Sequence, residues 1–82
     1  MNRYIATFHT HYAALATYRA LRTSGLRADM APVPRALSAD CGTCVIFWAD
    51  EVPGSLLHKD YDHIVLAPEG EAYRTVMEND KL

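Results

Sequence analysis

Apolar and polar positions recur along this chain of 82 residues with two different periods. Arg3-Tyr4-Ile5-Ala6-Thr7-Phe8 is β-branched and aromatic without a breaker, and Tyr4, Ala6 and Phe8 share one face of the strand it predicts. From Thr10 the period changes. Thr10 can serve as an N-cap, and Ala14, Leu15, Tyr18 and Leu21 then fall on one helical face before Gly25 offers a stop, so a helix is expected over about 11–24. Leu26, Ala28 and Met30 alternate with Arg27 and Asp29, which predicts a short half-buried strand ended by Pro32. Cys44-Val45-Ile46-Phe47-Trp48 is apolar on both faces and reads as a central strand.

The later residues are less regular. Pro53 can sit in the first turn of a short second helix, and His63-Ile64-Val65-Leu66-Ala67 is a strand. Pro68-Glu69-Gly70 is turn chemistry. The residues after it fit a hairpin partner through Tyr73, Thr75 and Val76, or a terminal helix through Ala72, Val76 and Met77, with the hairpin preferred. The order strand, helix, strand, strand, short helix, strand predicts one α+β domain over 1–82. It is a two-layer sandwich of the ferredoxin-like, split βαβ kind, with an antiparallel or mixed sheet of about four strands, one main helix and a shorter second one. In that topology strand three lies antiparallel between strands one and two. The end of strand one, the start of the helix and the start of strand three then meet at one edge, and His9, Thr10, His11, Cys41 and Cys44 are expected to converge there.

Composition narrows the function classes. A chain of this length supports one modest core, so association with a second copy as a homodimer would help. No apolar stretch approaches a membrane span, and the first residues lack a secretory pattern, so the expected location is cytoplasmic with no membrane partner. Residues 1–49 carry five arginines against Asp29 and Asp40, whereas residues 50–82 carry Lys59, Arg74 and Lys81 against eight acids. The arginines are scattered, with no basic cluster and no interleaved aromatics, so no nucleic-acid partner is expected. No serine-histidine-acid set, phosphate loop or dinucleotide fingerprint is present, which favours a carrier or accessory protein over an autonomous enzyme.

The candidate chemistry lies in the loop from Pro32 to about Thr43, where Pro32 and Pro34 impose an extended approach to Cys41-Gly42-Thr43-Cys44. A thiolate forms near neutral pH where helix N-termini, cations or free amides supply positive potential. Here the helix start at Thr10, His9, His11, Arg35 and the amides around Gly42 are the candidates, and Gly42 allows a positive φ. Cys41, on the loop, is the better nucleophile. Cys44, at the strand start, is either a resolving thiol or a small apolar core residue. No cofactor is expected. The alternative is zinc held by His9, His11, Cys41 and Cys44, in which the H-x-H half would have to turn at Thr10 for both imidazoles to ligate. His58 and His63, beside Asp60 and Asp62, read as solvated surface histidines.

Phe8 through Tyr12 with Ala14-Leu15, then Pro32-Val33-Pro34-Arg35, then Ser38-Ala39-Asp40-Cys41-Gly42, resemble the selenium/sulfur carrier protein-like family, a group of small, mostly bacterial domains. Its pattern is a strand-ending Phe, a Ser/Thr helix cap, a small-residue helix and P-x-P-R…S-x-x-C-G before a strand, and the match spans about 4–48. The resemblance implies an α/β sandwich that holds sulfur or selenium on Cys41 as a persulfide-type adduct. Arg35 and the amides after Cys41 would stabilise the anion, and sulfur or selenium donor and acceptor proteins would be the partners. Tyr18 stands where the family pattern has an acidic residue, and Cys44 is an additional thiol. Two other functions fit the same residues: a noncatalytic, dimeric interaction domain with zinc or nothing at the cysteines, and a C-x-x-C thiol-disulfide redox protein.

Overall fold

The computed structural model describes residues 1–37 and 42–79. Strands β1 (Asn2–Phe8), β2 (Ala28–Pro32), β3 (Thr43–Ala49), β4 (Tyr61–Leu66) and β5 (Arg74–Glu78) form one sheet in the order β2-β3-β1-β4-β5, and every neighbouring pair is antiparallel. Helix α1 (His11–Thr23) connects β1 to β2, and β3 lies between these two strands as expected. Cross-strand partners run from Asn2 opposite Ala49 to Thr7 opposite Cys44. The end of β1 and the start of β3 are therefore at the same edge.

Alternation along the strands separates two apolar layers. Tyr4, Ala6 and Phe8 of β1 join Val45 and Phe47 of β3 and Ile64 of β4 beneath Ala13, Ala14 and Leu21 of α1. The intervening residues Ile5, Cys44 and Val65, with Ala67, face the other way. No helix lies over them. Val33 and Leu37 from the β2–β3 loop and Tyr73 from the β4–β5 connection pack there instead.

Local chemistry fixes the helix. Thr10 has extended backbone angles, and its side-chain oxygen accepts from the Ala13 amide at 3.1 Å, which satisfies one of the first-turn donors. At the other end Leu26 N–H reaches the Leu21 carbonyl and Gly25 N–H the Arg22 carbonyl, a Schellman closure. The buried positions are Ala13, Ala14, Thr17 and Leu21, so the inward face is rotated from the expected Ala14, Leu15, Tyr18 and Leu21. Thr17 is tolerated inside because its hydroxyl oxygen accepts from the His58 amide at 2.9 Å. This bond attaches the segment before β4 to the helix.

Three expectations need correction. The sheet has five strands rather than about four, because the chain after Gly70 forms β5 as the hairpin partner of β4. The second helix shrinks to one 3₁₀ turn, Gly54–Leu56, after which Leu57 is already extended. The chain must descend from the helix to β4 within a few residues, and a longer helix would carry it away from the His58–Thr17 bond. Strand β2 starts at Ala28 rather than Leu26, since the Leu26 amide is engaged in closing α1, and it runs through Pro32. Proline is tolerated because β2 is an edge strand. Among the described residues no helix is long and apolar enough to cross a membrane.

Thr17→Val conserves shape but leaves the partly buried His58 amide without its acceptor. It is expected to lower the unfolding free energy by about 1–2 kcal/mol in urea titration, whereas Thr23→Val, at the exposed end of the helix, should change it little.

Candidate functional site

The loop between β2 and β3 is closed at its base by a hydrogen bond from the Val33 amide to the Gly42 carbonyl, 3.1 Å. Gly42 has φ +71°, a left-handed conformation that costs an L side chain roughly 1–2 kcal/mol. Glycine is thus what lets the chain re-enter β3 at that point. On the outgoing side the Leu37 amide donates to the Pro34 carbonyl at 3.0 Å, a turn that leaves Arg35 and Ala36 exposed at its corner. Pro34 stiffens this turn, and Val33 and Leu37 anchor it to the apolar layer around Ile5, Cys44 and Val65. Cys41 lies outside the described residues, with Ser38, Ala39 and Asp40.

Cys44 is fully buried beside Thr7 and Ala31 on the helix-free side of the sheet. Its thiol donates to the Pro32 carbonyl at 3.6 Å. His9, Thr10 and His11 follow β1 at the same edge, yet they lead onto the opposite side, where α1 packs. The Thr10 oxygen is engaged as the helix cap, and His11 is exposed at the first helical position. His9 is exposed, with Nε2 3.9 Å from Asp62 Oδ1. The strand ends therefore meet as expected, while the Cys44 thiol and the helix start face opposite sides of the sheet. No acidic residue occupies the first turn of α1, so the positive potential of its amides is not offset locally. Among the described residues no group of three or more His, Cys, Asp or Glu is placed to hold a metal ion.

Two polar residues shape this edge in ways the sequence did not announce. Thr7 is buried, and its hydroxyl accepts from the His63 amide at 3.1 Å and donates to the His63 carbonyl at 3.4 Å. These bonds sit where the β1–β4 register shifts, so the side chain satisfies backbone groups at an irregularity in the ladder. His63 is more than a solvated surface histidine. Its Nδ1 is 3.0 Å from Asp62 Oδ1, and its Nε2 is 3.5 Å from Glu78 Oε1 across the β4–β5 pair. His58 likewise has a local structural role, its Nδ1 accepting from the Asp60 amide at 3.1 Å and its ring meeting Tyr12 edge-on. Cross-strand partners such as Glu78 become visible only once the register is known. The one signal in the sequence was a threonine inside an otherwise apolar strand.

Among the described residues Gly42→Ala meets nothing within 4 Å, so the cost of the positive φ dominates, and a loss of about 1–2 kcal/mol is expected in denaturant titration. Burial of Cys44 predicts that brief iodoacetamide treatment of the folded protein leaves this thiol unmodified in peptide mapping. The same treatment in concentrated urea should label it fully.

A search of the curated proteins finds no match, and neither does a search of the solved structures. The family comparison does find one, over residues 3–56, which run from β1 through the closing glycine of the loop to the 3₁₀ turn. With that match covering most of the chain, the protein belongs to the family described as "Putative Se/S carrier protein-like".

Proposed function

We propose that the protein is a small carrier of sulfur or selenium that holds the chalcogen on Cys41 as a persulfide-type adduct. The observation that carries this reading is the burial of Cys44, which leaves Cys41 as the candidate thiol. Cys44 is withdrawn into the apolar layer, while the residues flanking the Cys41 segment, Val33, Leu37 and Gly42, are tethered by apolar contacts and the Val33–Gly42 hydrogen bond. A loop with tethered flanks is a suitable scaffold for a transfer thiol, since functional residues are commonly carried on loops positioned by a rigid frame. The Cys44 thiol is turned to the Pro32 carbonyl, which favours this over dithiol exchange, in which Cys44 would have to attack a mixed disulfide on Cys41. Family membership supports donor and acceptor proteins as the partners. In the strand order β2-β3-β1-β4 we read a ferredoxin-like core in which the second helix has contracted and β5 has been added.

The chemistry is a group transfer without net oxidation. The Cys41 thiolate attacks the terminal sulfur of a donor persulfide, the S–S bond of the donor breaks, and the donor cysteine leaves as thiolate. The Cys41 persulfide carries the proton or is held as its anion. Arg35, on the exposed corner of the same loop, and the amides following Cys41 are assigned to stabilise that anion. Acceptance by a second protein is the same step reversed.

Incubation with a cysteine desulfurase and cysteine, followed by persulfide trapping and mass spectrometry, is expected to place the label on Cys41 and to lose it in Cys41→Ser. Label on Cys44 alone, or on neither residue, overturns the assignment. Arg35→Ala should lower the loading rate about tenfold, the size expected for removing a charge-assisted contact of ~1.4 kcal/mol.

A further inference from the structure

A groove of about 550 Å³ lies on the helix-free side of the sheet. Its volume falls within the range of small-molecule sites. The floor is Val65. One wall is Leu37 of the β2–β3 loop, and the other is the β4–β5 connection with Tyr73. Two charged residues of opposite sign also line it, Arg3 from β1 and Glu71 from the connection. Arg3 alternates with Tyr4 and so stands on the same side as Ile5, opposite Trp48 of β3. Glu71 is set by the turn before it. Its amide donates to the Pro68 carbonyl at 3.3 Å, and Gly70 has φ +75°. This geometry needs glycine and fixes where the carboxylate begins.

Among the described residues neither Arg3 nor Glu71 makes a side-chain hydrogen bond or an ion pair, and they do not pair with each other. A half-buried arginine and an exposed glutamate lining the same groove therefore offer both charge signs to a ligand. A simple anion would meet Glu71 and a simple cation would meet Arg3. A molecule carrying a carboxylate and an ammonium on adjacent atoms satisfies both, with its side chain free to cover Val65, Leu37 and the Tyr73 ring. We infer that this groove binds a free α-amino acid with an apolar side chain. The carboxylate is held by Arg3 as a charge-assisted, fork-like pair and the ammonium by Glu71. This inference does not depend on the thiol chemistry of Cys41, although Leu37 belongs to the same loop.

L-methionine is the appropriate probe: its thioether fills apolar space adaptably and cannot exchange with a thiol. Titration into the ¹⁵N-labelled full-length protein is expected to give saturable shifts at Leu37, Val65 and Tyr73. The decarboxylated amine 3-(methylthio)propylamine and N-acetyl-L-methionine, each lacking one charge, should bind at least tenfold more weakly. Arg3→Gln and Glu71→Gln should each weaken L-methionine about tenfold, whereas Arg22→Gln, on the helix side of the sheet, should leave it unchanged. Absence of saturable shifts overturns the inference. So does equal binding of the one-charge analogues, or indifference to both groove substitutions. Because groove binding is read by amide shifts and persulfide loading by mass spectrometry, failure of the groove and failure of the carrier reading are distinguishable.

Discussion

Strand β1 is hydrogen-bonded along both edges, to β3 and to β4, and buried on both sides. A strand in that position cannot tolerate a polar side chain without an internal partner. Thr7 is the exception and makes the rule visible. Its hydroxyl supplies what the ladder lacks at the register shift beside Phe8, and the only other polar side-chain atom from Tyr4 to Phe8, the Tyr4 hydroxyl, accepts from the Asn2 side chain. Because side chains alternate, burying β1 on both sides requires two separate covers. Helix α1 is one. The other has to come from whatever lies across Ile5 and Val65, and here it is a loop.

That division of labour links the fold to the candidate site. In a domain this small, a single helix shields one layer, and the second layer is closed by Val33, Leu37 and Tyr73 rather than by a regular element. A loop that carries a share of the core is tethered by apolar contacts at its flanks, while its turn corner stays in water. Arg35 and Ala36 occupy such a corner between Pro34 and Leu37. The P-x-P-R segment therefore has a structural meaning independent of any chemistry. Its prolines extend and stiffen the chain, Val33 between them points its apolar side chain to the sheet, and the arginine is left outside.

How far the sequence reveals this depends on which physical effect was dominant at each residue. Strands β1 and β3, the Thr10 cap and the positive φ at Gly42 follow from local chemistry and were readable. The antiparallel placement of β3 between β1 and β2 followed from the element order. The inward face of α1 was misread by one position, because Thr17 is buried for its bond to the His58 amide and hydrophobicity gives no hint of that. The start of β2 was misplaced because Leu26 looks like a strand residue in an alternating pattern, whereas its amide completes the helix terminus. The short second helix was overestimated on the strength of Pro53, which favours a helical first turn and says nothing about a second.

The cysteines show the same limit at the level of function. C-x-x-C spacing suggests two sulfurs acting together, and only the register shows that Cys44 sits opposite Thr7 with its thiol turned to the helix-free layer and donating to Pro32. Spacing counts residues along the chain, but a strand start changes what spacing means. Once Cys44 enters β3, its side chain is assigned by alternation to a side of the sheet, together with Ile46 and away from Val45. A residue in the preceding loop is under no such assignment. The burial of Cys44 is thus a consequence of where β3 begins, and Gly42, by ending the loop with a left-handed residue, sets that point.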